Sequence, residues 1–100
     1  MTYLPVRKSA RAEEDLIDIW LYVAANNEAA ADRLLDRFQA RWELLATQPY
    51  SGMERTDIAA SIRHLVMGEY LTFYRIAADH IEILRVLHGK RDITADDLEA

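Results

Sequence analysis

The chain has no cysteine, so no disulfide can staple it and no thiolate can hold a metal. No apolar run approaches the roughly 18–20 residues needed to span a bilayer. The basic stretch from Met1 to Arg11 is not followed by an apolar segment of signal-peptide type. The expectation is a cytoplasmic protein with no membrane partner. Glycine and proline are scarce, at three and two residues, and no glycine-rich loop is present to cradle a phosphate. His64, His80 and His88 lack metal-ligand spacing, and no serine–histidine–acid set can be assembled, so neither metal nor cofactor is expected.

What is present is the composition of one ordinary domain. Half of the 100 residues are apolar (51 %) and 29 % are charged, which separates the chain from disordered sequences. The net charge of −5 is unevenly placed: Asp92, Asp96, Asp97 and Glu99 lie in a tail with no basic residue after Arg91, and elsewhere 12 basic side chains face 13 acidic ones. The expected division is a folded domain over 1–91 and an acidic tail over 92–100. A near-neutral body lacks the basic surplus with which nucleic-acid binders neutralise phosphates.

The order of elements follows from periodicity. Thr2 to Lys8 alternates loosely around Pro5, as an edge strand does. Ser9 is an N-cap candidate for a helix from Ala10 to Ala25, in which Ala12, Leu16, Ile19, Trp20 and Val23 recur on one face. Asn27 can cap a second helix, from Glu28 to about Thr47, with the stripe Ala31, Leu34, Leu35, Phe38, Trp42 and Leu45. Trp20 and Trp42, at helical spacing, read as core aromatics. Pro49, Ser51 and Gly52 stop this helix, and so short a link predicts an antiparallel helical hairpin. Ser61–Met67, Tyr70–Ala77 and His80–His88 read as three strands of an antiparallel meander. After Thr94 the tail either adds one helical turn or stays loose. The fold class expected is α+β, in the order β-α-α-β-β-β, with a helical hairpin packed on a small, mainly antiparallel sheet.

Strand alternation places Ile81, Ile83 and Leu87 on one side of the last strand and Leu84 and Val86 on the other. In the preceding strand Leu71 and Phe73 oppose Tyr70, Tyr74 and Ile76. Both sheet faces are then apolar, while two helices cover only one. The second face is expected to need a partner protein as its cover.

Three stretches carry a family resemblance. They are Ser9-Ala10-Arg11-Ala12-Glu13-Glu14-Asp15-Leu16 with Ile19 and Tyr22-Val23-Ala24; Ala30-Ala31 and Leu34-Leu35 leading to Leu45 and Pro49-Tyr50-Ser51-Gly52; and Arg63, Tyr74-Arg75-Ile76 and Ile83-Leu84-Arg85-Val86-Leu87-His88-Gly89-Lys90-Arg91-Asp92. On these the chain resembles the ParE branch of the ParE/RelE toxin superfamily along almost its whole length. The resemblance implies a type II toxin–antitoxin toxin, silenced by a ParD-like antitoxin with a ribbon-helix-helix DNA-binding half and a flexible tail. That tail would wrap the hairpin and sheet, which makes Leu16, Trp20, Leu34, Phe38, Arg63, Tyr74 and Arg75 the antitoxin-binding candidates. Specific nucleic-acid binding is expected only through the antitoxin.

The target is less direct. ParE-branch toxins are associated with DNA gyrase, RelE-branch toxins with cutting messenger RNA on the ribosome. RNA cleavage needs groups that activate a 2′-hydroxyl, stabilise charge on phosphorus and protonate the leaving oxygen. By resemblance the two arginines of that branch match Arg75 and Arg91; its acid–base histidine or tyrosine near the C-terminus has no counterpart over 92–100, which leaves His88 as the acid–base candidate. The acidic tail would repel an RNA backbone, and the stretch before Tyr70 lacks lysine, where the ribonuclease branch tends to carry basic residues. The sequence therefore favours gyrase inhibition by protein–protein contact through Arg85, His88, Lys90 and Arg91, with no catalytic residue. An endoribonuclease is the first alternative, and an inactive homologue that only supports its antitoxin's DNA-binding complex is the second. Two bland readings stay open beside these: Arg75 and Arg85 as ion-pair partners of Asp15, Asp18 or Glu82, and His88 as a hydrogen-bonded strand-end residue.

Overall fold

The computed structural model describes residues 4–90 and 93–98. Strand β1 (Val6–Lys8) leads into helices α1 (Ala10–Ala24) and α2 (Glu28–Leu45). Strands β2 (Met53–Glu54), β3 (Arg63–Met67), β4 (Tyr70–Ile76) and β5 (Ile81–His88) follow, and a 3-10 turn over Ala95–Leu98 closes the described chain. The sheet order is β1-β5-β4-β3-β2, with β1 parallel to β5 and the other pairs antiparallel. The expected α+β architecture is what forms. The addition is β2, whose two residues are too few for any alternation to reveal.

Local chemistry sets the element ends. The Ser9 Oγ accepts from the Ala12 N–H at 3.0 Å, and Asn27 Oδ1 accepts from the Ala30 N–H at 3.0 Å. Each thereby satisfies one of the donors that a helix start leaves unpaired. The β3–β4 link is the two residues Gly68 and Glu69, and Gly68 takes φ +57°, a conformation that side chains resist. Gly52 is required by space instead. A Cβ there would collide with the Tyr74 hydroxyl and lie 2.8 Å from the His64 carbonyl oxygen.

Beneath the hairpin, Phe38, Trp42, Leu45, Leu65, Tyr74, Ile81 and Ile83 form the main core. Phe38 stacks on Trp42 at 5.9 Å and meets the Tyr70 ring edge-on at 5.8 Å, arrangements that add to simple area burial. The Trp42 Nε1–H donates to the Thr72 hydroxyl at 3.1 Å, so the indole is buried without an orphaned donor.

Two expectations about the sheet are corrected. The β4–β5 register shifts at Phe73/Tyr74: Phe73 faces Arg85 and Tyr74 faces Ile83, leaving Leu84 as an extra residue in β5. This bulge reverses the alternation. Val86 therefore joins Ile81 and Ile83 under the helices, while Leu87 joins Leu84 on the other face.

The second correction concerns the cover of that other face. Ile62, Phe73, Leu84, Leu87 and Leu98 form a second apolar cluster, with Ile58, Ala59, Leu71 and Ile93 packed against it. Its cover comes from the chain itself, from the loop over 55–62 and the segment over 93–98. Arg55 fastens the loop: its guanidinium binds Asp57 at 2.9 Å, approaches His64 Nδ1 at 3.0 Å and lies 5.7 Å from the Phe73 ring centre. The two-sided apolar sheet is real, but its second side is largely self-sealed and does not demand a companion.

Candidate protein-contact site

The sites expected from sequence fall into three environments. The interior holds Arg85, Phe38 and Tyr74. Arg85 is 7 % exposed and faces α1, where its Nε and Nη2 donate to the Asp15 carboxylate at 2.7 and 2.9 Å. Its Nη1 donates to the Asp97 carbonyl at 2.6 Å, tying the C-terminal segment to the sheet. The hydrogen bond to the Asp15 carboxylate, helped by its charge, raises the Arg85 pKa above its usual value against the opposing effect of burial. Arg85 was expected to touch a target; its guanidinium is consumed inside the fold, as in the ion-pair reading left open beside that role. Tyr74 is equally committed, its hydroxyl donating to the Pro49 carbonyl at 2.8 Å and accepting from the Gly52 N–H at 2.9 Å. Burial pushes the Tyr74 phenol up from its usual pKa. Phe38 and Tyr74, fully buried, offer a partner no surface.

The half-buried set is Leu16, Leu34, Trp20 and Arg63. Leu16 and Leu34 pack against the main core. Trp20 donates its Nε1–H to Asp32 at 2.8 Å and so bridges the two helices rather than joining the core. Arg63 binds the Gly52 carbonyl at 2.8 Å and Glu54 at 2.9 Å, beneath the Tyr50 ring at 4.9 Å. It holds the turn after α2 in place.

Exposed Arg75 and half-buried His88, the would-be catalytic residues, lie apart. Arg75 stands opposite Glu82 and pairs with it at 2.8 Å. His88 stands opposite Tyr70 at the far end of β5, about 20 Å away at the usual rise of ~3.3 Å per residue. Near His88 lie Glu69 at 3.9 Å, the Tyr70 ring edge-on at 5.6 Å, and the N–H of exposed Lys90, which donates to His88 Nδ1 at 3.2 Å. Arg91 lies outside the described residues. His88 and Arg75 thus cannot meet on one phosphate, while His88 and Lys90 share one end of the sheet.

Sequence reasoning missed the most exposed apolar side chains among the described residues. Ile17, Leu21 and Tyr22 stand outward on α1, and Leu44, Met53 and Val66 surround the outer edge of β3. Ile17 and Leu21 have helical spacing off the buried stripe, a signal that a search for core positions passes over.

Among the described residues, exposed apolar side chains stand at two surfaces, and His88 and Lys90 share one strand end. The family of ParE toxins of the parDE type II toxin–antitoxin systems matches residues 6–93. The chain belongs to the ParE toxin family. It is 38 % identical over 93 residues to Toxin ParE1 of Caulobacter vibrioides, covering 91 % of this chain and 95 % of that protein. It is 27 % identical over 82 residues to Toxin ParE3 of the same organism, with 81 % and 82 % covered. Its fold is similar to a solved structure described as a chromosomal ParDE system from P. aeruginosa, with TM-score 0.74, 19 % identity, and 86 % and 96 % of the chains covered. This ParE-family chain is a toxin of the type II toxin–antitoxin class, and an antitoxin partner goes with that class. No helix among its described residues is long and apolar enough to cross a membrane.

Proposed function

We propose that this ParE-family toxin stops growth by binding DNA gyrase, without covalent chemistry of its own, and that a ribbon-helix-helix antitoxin neutralises it in the cytoplasm. The observation that carries the reading is the separation of Arg75 and His88 at opposite ends of the β4–β5 pair, with Arg75 occupied by Glu82. Phosphodiester cleavage requires its acid, base and charge-stabilising groups around one phosphorus; binding a protein target does not. The strand end with half-buried His88 and exposed Lys90 is the surface assigned to the target, with Arg91 beside it in sequence. Arg85 is withdrawn from that surface because it is buried.

The test is expression of the chain alone in a host cell, read in parallel for DNA damage and for messenger RNA. Growth arrest with a DNA-damage response, intact messenger RNA and inhibited supercoiling by purified gyrase is expected. Rapid messenger loss without DNA damage would reverse the reading in favour of the endoribonuclease. Uninhibited growth would favour an inactive antitoxin-binding homologue.

A further inference from the structure

The two long edges of the central β5-β4-β3 sheet are finished differently. Strand β1 covers β5 only as far as Ile83. Beyond it α1 takes over: the Ser9 hydroxyl donates to the Leu84 carbonyl at 2.8 Å, and Asp15 accepts the Val86 N–H at 3.0 Å. Strand β2 covers β3 only at Arg63 and His64. Beyond His64, no described residue lies against β3 as a further strand.

Backbone parity fixes which groups this leaves open. The Ile62 carbonyl accepts the Arg55 N–H at 2.8 Å, on the side where His64 pairs with Met53. Alternate residues of an antiparallel strand turn their N–H and C=O to the same side, so those of Val66 point outward as well. Beside this edge runs a groove of about 400 Å³ lined by Arg37, Ala40, Arg41, Leu44, Val66 and Met67. Val66 is 61 % exposed and Leu44 49 %. Arg37 and Arg41, one helical turn apart, make no hydrogen bond or ion pair among the described residues.

We infer that this edge receives an acidic, extended segment of the antitoxin as a sixth strand; the inference deepens the antitoxin reading above and rests on it. Outward amide groups ask for a polypeptide in β conformation. Strand alternation would direct its apolar side chains onto Leu44 on the helix side and Val66 on the other. The Arg37 and Arg41 guanidiniums on the rim, without a hydrogen bond or ion pair among the described residues, select carboxylates. A second copy of this chain is a poor occupant, because two-fold edge pairing would bring the Arg37–Arg41 pairs of both copies together.

The experiment uses the full chain and its cognate antitoxin. Amide hydrogen exchange of the wild-type chain is followed with and without the antitoxin, and affinity is compared with that of the Arg37→Glu/Arg41→Glu variant after its unaltered melting is checked. Expected are slowing of Val66 amide exchange in the complex and at least about tenfold weaker binding of the variant. The inference is overturned if Val66 exchanges in the complex as fast as in the free chain, or if the charge reversal leaves affinity unchanged. Because the exchange arm uses the wild-type chain, it stands even if the variant misfolds. An antitoxin that fails to bind the wild-type chain at all overturns the antitoxin reading itself, and the two failures are thereby distinguished.

Discussion

The β5 edge and the β3 edge meet the same physical problem with opposite outcomes. Each begins under a short strand that stops early, and each would present unpaired backbone groups beyond that point. At β5, α1 supplies Ser9 and Asp15, and Arg85 neutralises the buried carboxylate. At β3 the neighbouring helix α2 supplies Leu44 and two arginines that make no hydrogen bond or ion pair among the described residues. The difference teaches where stability and interaction are divided in this fold. The sealed edge is part of the core, and the open edge is available to another chain.

The largest expected effect comes from breaking the sealed edge. Asp15→Ala strands a buried guanidinium and the Val86 N–H together, and removing one partner of a buried pair costs about 3–5 kcal/mol. Urea unfolding of the variant measures it; a loss near zero would mean that β5 does not depend on α1 for its backbone partners. Next is Leu98→Ala, which opens the second cluster and is expected to cost about 2 kcal/mol by the same measurement. A neutral result would show that the C-terminal segment is not the cover of that face.

His64 gives a smaller, pH-dependent effect. Burial first, and the Arg55 charge second, hold its pKa below the ordinary 6.5, so folding favours the neutral ring. Its contribution is therefore complete above pH ~6.5 and is lost as pH falls through the lowered folded value. Between pH 7 and 5 the urea midpoint of the wild type should fall more than that of His64→Gln; equal slopes would detach His64 from the loop clamp. The smallest effect belongs to the open edge. Val66→Lys should change the stability of the free chain by less than about 0.5 kcal/mol, because its side chain and backbone leave no intramolecular partner behind.

How far the sequence spoke depended on the range of the interaction. Both helix caps, the apolar stripes and the strands β3 to β5 were legible, because each is written in residues a few positions apart. The bulge at Leu84 was not, since alternation assumes an unbroken register, and so Val86 and Leu87 were assigned to the wrong faces. The cover of the second face was hidden for a different reason. Ile58, Ala59, Ile62 and Leu98 are scattered through segments with no periodicity, and only folding brings them together. Of the site residues, the pairing of Arg85 with Asp15 was foreseen as one of two options, and burial decided between them. The basic string ending in Lys90-Arg91 was visible as a motif, yet no spacing rule tells that β5 carries His88 to the end remote from Arg75.

The contrast between the edges can be read directly in the free chain by amide hydrogen exchange resolved to single residues. The Val86 amide, held by Asp15, is predicted to exchange as slowly as the core amides, and the Val66 amide to exchange orders of magnitude faster. Comparable protection at Val66 and Val86 would contradict the account, because it would mean that the β3 edge is already closed without a partner.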